Sequence, residues 1–140
     1  MATKLSLTQM KQLVSSHFED FVNRRMAEVI RTNMTPDFYD HDGPGGEAAG
    51  VERDEQMMVD MYKAMPDLHL TIEDMIAEGD KVMCRNIWRL TDAASGKTMQ
   101  FHGFVLWRQD RGALGHRNAA CGRDIVDKNT IARSRFGVKA

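Results

Sequence analysis

Residues 65–82 read MPDLHLTIEDMIAEGDKV, and the periodicity of the chain changes within this stretch. Before it, apolar residues recur at helical spacing, and Pro66 ends the last helical pattern because proline cannot continue the ladder of backbone hydrogen bonds. Residues 69–78 alternate roughly by two between apolar and polar side chains, which is typical of a half-buried strand. Gly79 and Asp80 then form a tight turn. The stretch therefore predicts helices first and hairpin strands afterwards, which defines an α+β fold.

The same periodicities predict three helices and four strands along the chain. Ser6 lies just before the first helical pattern and Gln9 follows three residues later, as in a capping box. A short extended segment at 38–42 separates the second and third helices. The predicted helices cover residues 7–23, 25–34 and 51–65, and the predicted strands cover 69–78, 81–90, 99–108 and 114–120.

The composition is that of an ordinary globular domain. The chain has 140 residues, of which 42% are hydrophobic and 28% charged, with a net charge of −1. We expect one domain over residues 1–140, with its core at about 7–120 and a tail at 121–140 of uncertain structure. The charge pattern argues against nucleic acid as a partner, and no apolar run reaches the length of a membrane span. Two cysteines without a CxxC motif favour the reducing cytoplasm.

Three motifs in this order and spacing resemble the SnoaL-like polyketide cyclase and ester cyclase family, which has the nuclear transport factor 2-like superfold, also called cystatin-like. They are PDFYDHDGPGG at residues 36–46, the stretch at 65–82, and FHGFVLWR at 101–108. The resemblance implies a cone-shaped, curved antiparallel sheet packed against three N-terminal helices. It further implies a polyketide cyclase that acts on a small or polycyclic carbonyl compound by acid/base chemistry, without a cofactor.

The sequence departs from the family where relatives place their acid and base. Family members use an Asp on the last strand and a His on the preceding one, and these places are occupied here by Asn118 or Ala119 and by Val105. None of these side chains exchanges a proton at neutral pH. Two other functions therefore stay open: a non-catalytic binder of an apolar small molecule, and an enzyme resembling ketosteroid isomerases or dehydratases.

The remaining candidates for catalysis are Asp40, His41 and Asp42, at the entry of the expected pocket. Histidine titrates near neutrality, and an adjacent carboxylate can raise its pKa. On an extended segment His41 points opposite to Asp40 and Asp42, and Tyr39 shares its side. We expect His41 to face inward as the main acid/base group, with Asp40 or Asp42 orienting it.

The other expected pocket residues lie on the strands. If Val105 faces the pocket, its strand neighbours at alternate positions do so too, and the opposite face carries Phe104 and Leu106. Those two side chains are too apolar to stay exposed, so we expect a homodimer or a dimer-based oligomer joined through that face. Arg85 either serves a ligand oxyanion or lies on the wet outer face. No histidine spacing suggests a metal site. The expected pocket residues are Tyr39, Arg85, Trp88, Phe101, Val105, Trp107 and Asn118.

Overall fold

The computed structural model describes residues 4–43 and 46–121. The expected tail therefore lies outside the described residues, apart from its first position. No helix in the described ranges is long and apolar enough to cross a membrane.

The helices lie close to their predicted positions. The predicted capping box is confirmed, because the Ser6 hydroxyl accepts from the Gln9 backbone N–H while the Gln9 side chain accepts from the Ser6 backbone N–H. The first helix continues into a π-helical turn at Glu19–Asn23, so the predicted span 7–23 is helical throughout. The second is shorter than predicted and begins with a 3-10 turn at Ala27–Val29. The three α-helices are α1 (Leu7–Phe18), α2 (Ile30–Asn33) and α3 (Val51–Ala64).

In the described residues five strands form one curved sheet, in which the first strand along the chain lies beside the fifth, and the fourth, third and second follow in that order. The four predicted strands are confirmed to within two residues at each end. Of the predicted extended segment 38–42, residues 38–40 belong to a strand that begins earlier, directly after α2, and residues 41–42 form a turn. The strands are β1 (Met34–Asp40), β2 (His69–Glu78), β3 (Lys81–Thr91), β4 (Thr98–Asp110) and β5 (Ala113–Cys121).

The predicted α+β class, with three helices packed on a curved sheet, is confirmed. The expectation of a purely antiparallel sheet needs one correction, since β1 pairs with β5 in parallel. The reason is topological: α3 and the β2–β4 meander separate β1 from β5, and such a long connection lets two neighbouring strands run in the same direction.

The strands alternate between an inner face against the helices and an outer face. On β4, Phe101, Val105 and Trp107 are buried, whereas Phe104 between them is exposed. In β5 the alternation is interrupted, because Leu114 pairs with Gln109 while the next pair is His116 with Arg108. This β-bulge adds one residue, Gly115, and so reverses the faces of the residues that follow it.

Candidate functional site

A small cavity of about 50 Å³ lies between the helices and the inner face of the sheet. Its walls are mostly aromatic and methionine side chains from α1, β1, α3, β3 and β4. Five polar side chains interrupt this apolar lining. They are His17, Asp40, Asp42, Asp54 and Arg117.

Asp40 and Arg117 form a buried ion pair at the edge of the cavity. They are partners in the parallel β1–β5 register, which places both side chains on the inner face. Arg117 Nη1 lies 3.0 Å from Asp40 Oδ2 and 3.3 Å from Oδ1, and Asp40 is 1% exposed. The Asp42 backbone N–H donates to Asp40 Oδ1 at 3.0 Å, and the guanidinium lies over the Trp107 ring. The ion pair and this hydrogen bond satisfy the buried oxygens of the Asp40 side chain.

Asp54 brings a second carboxyl group to the same place. It lies on α3 among Met58 and Met61 and is 4% exposed. Burial, a hydrogen bond with Asp40 and the negative charge of Asp40 together raise the pKa of Asp54 to about 8. At neutral pH Asp54 is therefore a neutral acid that donates to the Asp40 carboxylate. Its Oδ1 atom is buried and has no hydrogen-bond partner among the described residues.

His17 is the third titratable group at the cavity. It is fully buried, stacks on Phe21 at 4.8 Å and meets the edge of Trp107 at 5.4 Å. Burial, and to a smaller extent the positive charge of Arg117, lowers the pKa of His17 to about 3. The side-chain amide nitrogen of Asn33 lies 3.1 Å from His17 Nδ1. Since that nitrogen can only donate, Nδ1 accepts and the ring is neutral.

Of the residues predicted for catalysis, the structure brings Asp40 and Asp42 to the cavity. The expectation that His41 and Tyr39 face inward is wrong, because both are exposed. The reason is Phe38, a large apolar residue that must be buried and that carries Asp40 inward with it by the two-residue period. His41 instead contacts His116, with Nε2 and Nδ1 3.3 Å apart. The catalytic roles themselves stay predictions.

The expected pocket residues divide into two groups. Trp88 and Trp107 line the cavity, and Phe101 and Val105 are buried on the inner face of the same sheet. Placing Arg85 in the pocket is wrong: it is ion-paired on the outer face, where its Nε lies 2.8 Å from Asp74 Oδ2.

The expectation that Asn118 lies in the pocket is also wrong. The bulge at Gly115 turns Arg117, and not Asn118, to the inner face. Asn118 is exposed and is the partner of Leu106 on the outer face, while Ala119 is the register partner of Val105.

Sequence reasoning missed Asp54, Arg117 and His17 as site residues. A signal existed for Asp54, since positions 54, 58 and 61 follow helical spacing and place a carboxylate on an apolar helix face. His17 likewise occupies an apolar position of α1. Arg117 had no such signal, because its orientation depends on the bulge. The described residues contain no cluster of three or more His, Cys, Asp or Glu side chains suited to a metal ion.

The fold and cavity define a class: a small α+β pocket protein whose curved sheet and helices enclose a largely apolar space with a few convergent polar groups. Residues 12–133 match the family described as SnoaL-like polyketide cyclase, and the chain belongs to this family.

Solved structures agree with the fold. A protein from Jannaschia sp. CCS1, provisionally named a SnoaL-like polyketide cyclase, superposes with a TM-score of 0.76 at 17% identity, over 99% of each chain. TsrD from Streptomyces laurentii gives 0.75 at 18% identity, over 96% of this chain and 99% of TsrD. A provisionally named polyketide cyclase from Bacillus cereus ATCC 10987 gives 0.73 at 22% identity, over 94% of this chain and 83% of the other. No curated protein matches the chain.

Proposed function

We propose that this chain is a cofactor-free acid/base enzyme that acts on a small carbonyl compound in the interior cavity, in the manner of a polyketide cyclase. The observation that supports it is the cluster of Asp40, Asp54 and Arg117, hereafter the carboxyl cluster. It combines a carboxyl group ion-paired with an arginine and a second carboxyl group whose pKa is raised, and both carboxyl groups are buried. Pairs of carboxyl groups whose environments separate their protonation states are a recurring solution for acid/base catalysis.

The chemistry needs a base for a proton next to a carbonyl and a donor for the carbonyl oxygen. Asp40 takes the proton from the α-carbon, and the C–H bonding pair becomes the carbon–carbon double bond of the enol. Asp54 gives its proton to the carbonyl oxygen, which balances the charge. In a cyclisation the enol carbon attacks a second carbonyl, whose oxygen then takes the proton held by Asp40. The enol oxygen returns its proton to Asp54 as the first carbonyl re-forms.

The cavity must widen to admit such a compound, because about 50 Å³ accommodates only a few water molecules. The α3 side of the wall is suited to this movement, since all its lining residues apart from Asp54 are methionines: Met57, Met58 and Met61. Methionine is unbranched and has three rotatable bonds, so it can re-pack around ligands of different shape.

The test uses 2-tetralone as a probe, with deuterium exchange at its C1 position followed by NMR in heavy water. Asp54→Asn keeps the shape of the side chain and removes the acid, so we expect the catalysed rate to fall about 100-fold or more. Asp40→Asn should have a similar effect on the rate, with a loss of stability because Arg117 loses its anion.

Two control variants sharpen this test. Asp37→Asn removes an exposed carboxylate from the same strand and should leave the exchange rate within about twofold. His41→Ala should do the same, because His41 does not line the cavity. A rate that survives Asp54→Asn but collapses in His41→Ala would assign the chemistry to His41 instead.

The apolar lining favours a second candidate, a non-catalytic binder of an apolar small molecule. Nine of the lining residues are phenylalanine, tryptophan or methionine: Phe18, Phe21, Met34, Phe38, Met57, Met58, Met61, Trp88 and Trp107. A wild-type protein that binds 2-tetralone without accelerating exchange would support this candidate. An isomerase or dehydratase would use the same carboxyl cluster, and exchange without ring closure on a diketone substrate would indicate it.

A further inference from the structure

Asn86, on the inner face of β3, is buried without satisfying its polar atoms. It is 0% exposed, and neither Oδ1 nor Nδ2 has a hydrogen-bond partner among the described residues. The buried amide of Gln109 behaves in the ordinary way. Its Oε1 accepts from the Leu5 backbone N–H at 2.7 Å, and its Nε2 donates to the Leu5 carbonyl at 2.9 Å.

Asn86 does not itself line the cavity, but it lies on the inner face of the sheet between two residues that do, so the cavity has to extend along the sheet to reach it. Its register partner on β4 is Gly103, so the neighbouring strand presents no side chain beside the amide. Along β3 the next inward residue is Trp88, which lines the cavity, and Trp107 lines the cavity from the far side of the Asn86–Gly103 pair. Asn86 thus lies on the inner face of the sheet, between the positions of Trp88 and Trp107.

A buried amide without partners lowers the stability of the folded protein, so its presence on an inner face needs a reason. We infer that Asn86 is a ligand-anchoring residue, whose amide binds a neutral group with an acceptor beside a donor. A cis-amide, a neutral carboxylic acid or an enolised 1,3-dicarbonyl presents such a pair, and the carboxamide matches it with one N–H donor and one carbonyl acceptor.

This inference rests on the proposed ligand site. It adds a second polar group to that site, at a distance from the carboxyl cluster. Arg117 of the carboxyl cluster is the β5 partner of Trp107, and Trp107 is the β4 partner of Val82. Val82 lies four residues along β3 from Asn86. Four residues of strand span about 13 Å. A ligand that reaches both the carboxyl cluster and Asn86 is therefore elongated, with polar groups at its two ends and an apolar middle between the tryptophans.

Binding of two matched probes tests this role by equilibrium dialysis. The probe 2-quinolinone carries a cis-amide on a two-ring frame, and naphthalene has the same frame without polar atoms. We expect the wild-type protein to bind 2-quinolinone at least about tenfold more tightly than naphthalene, and Asn86→Leu to lose that preference. Asp54→Asn should keep it, so failure of the catalytic proposal and failure of this one are distinguishable. A wild-type protein without the preference, or an Asn86→Leu variant that retains it, would overturn the inference.

Thermal unfolding of the unliganded protein distinguishes a ligand-anchoring role of Asn86 from a structural one. The two roles predict opposite changes in melting temperature when the amide is removed. Asn86→Leu should raise the melting temperature by about 3 °C, because it removes an unpaired buried amide and keeps the volume. Gln109→Leu is the matched control and should lower it, since its amide is fully bonded. A lower melting temperature for Asn86→Leu would show that the amide already has partners, and the inference would be wrong.

Discussion

Asp54 determines the chemistry available in the cavity. Two carboxyl groups in a desolvated space cannot both carry a charge without a large cost, and Arg117 gives its direct ion pair to Asp40 alone. The proton therefore stays on Asp54, which contributes a donor to a site where most carboxyl groups would only accept. A neutral acid beside a carboxylate provides the base that removes the α-proton and the acid that protonates the carbonyl oxygen.

The raised pKa of Asp54 has a consequence for stability that can be measured. The native state holds this proton more tightly than the unfolded chain, so its contribution to stability is complete below about pH 3.8 and is lost as pH rises to about 8. The free energy of unfolding of the wild-type protein should therefore fall between pH 5 and pH 8.5, and that of Asp54→Asn should not fall in this way. The difference between the two changes is on the order of a few kcal/mol. Urea unfolding at both pH values measures this. An unchanged difference between the two proteins would contradict the shared proton.

His17 predicts a pH dependence of the opposite sign. Its pKa is lowered to about 3 by burial, so the unfolded chain binds a proton that the native state refuses. The stability that depends on neutral His17 is complete above about pH 6.5 and is lost as pH falls towards 3. His17→Phe should remove this part of the acid sensitivity, and thermal unfolding of both proteins at pH 4 and pH 7 would detect it. Equal acid sensitivity of variant and wild type would show that His17 is already accessible to protons.

At the scale of elements, β1 is the strand that completes the site. Its parallel pairing with β5 sets Asp40 beside Arg117, and the chain returns after β1 to pair Asp40 with Ala49 through two backbone hydrogen bonds of 2.8 and 2.9 Å. Asp40 is thus held on both sides by backbone, which gives its carboxylate a fixed direction towards α3.

In the turn after β1, Gly43 has no room for a side chain. A Cβ added at Gly43 would lie 2.7 Å from both Ala49 Cβ and the Glu47 carbonyl oxygen, so the returning segment would have to shift. Gly43→Ala should cost about 1–3 kcal/mol of unfolding free energy and reduce the exchange rate with 2-tetralone. Gly50→Ala is the control, since its Cβ would make only an ordinary contact at 3.7 Å. Equal urea midpoints for the two variants would contradict the close packing around Gly43.

The elements differ in how far sequence could predict them. The limits of β2 follow from residues 69–78 alone, because a half-buried strand must alternate and its ends carry turn residues. The inner side of β1 could have been deduced from Phe38, whose burial fixes the orientation of Asp40. Arg117 could not, since one extra residue at Gly115 reverses the faces of β5 and leaves no periodic signal. Asp54 could have been predicted as a site residue only from its position on an apolar helix face, where a buried carboxyl group needs a partner or a proton.

At the scale of the whole molecule, the outer face of the sheet carries an exposed apolar patch, hereafter the outer patch, formed by Ile76, Met83, Phe104 and Leu106. Ile76 is 69% exposed and Phe104 is 44% exposed. Cross-strand pairing joins Ile76 to Met83 and Met83 to Leu106, so the patch is continuous over three strands. We propose that two copies meet through the outer patch with twofold symmetry, since such a contact is self-complementary.

Sedimentation velocity tests this assembly. The wild-type protein should sediment as a dimer at tens of micromolar, and Phe104→Glu should shift it towards the monomer because the two copies would then bring like charges together. Leu7→Glu introduces the same charge at an exposed position of α1 and should leave the dimer intact. A monomeric wild-type protein at that concentration would contradict the dimer.

The protonation state of Asp54 can be measured without a substrate and without an assay of turnover. Carbon-13 NMR of the aspartate carboxyl carbons, with Asp54→Asn used to assign the resonance, follows that state across a pH titration. We expect Asp54 to stay protonated through pH 7 and to titrate near pH 8. A carboxyl resonance of Asp54 that titrates below pH 5 would show an ionised group at neutral pH and would remove the acid from the proposed site.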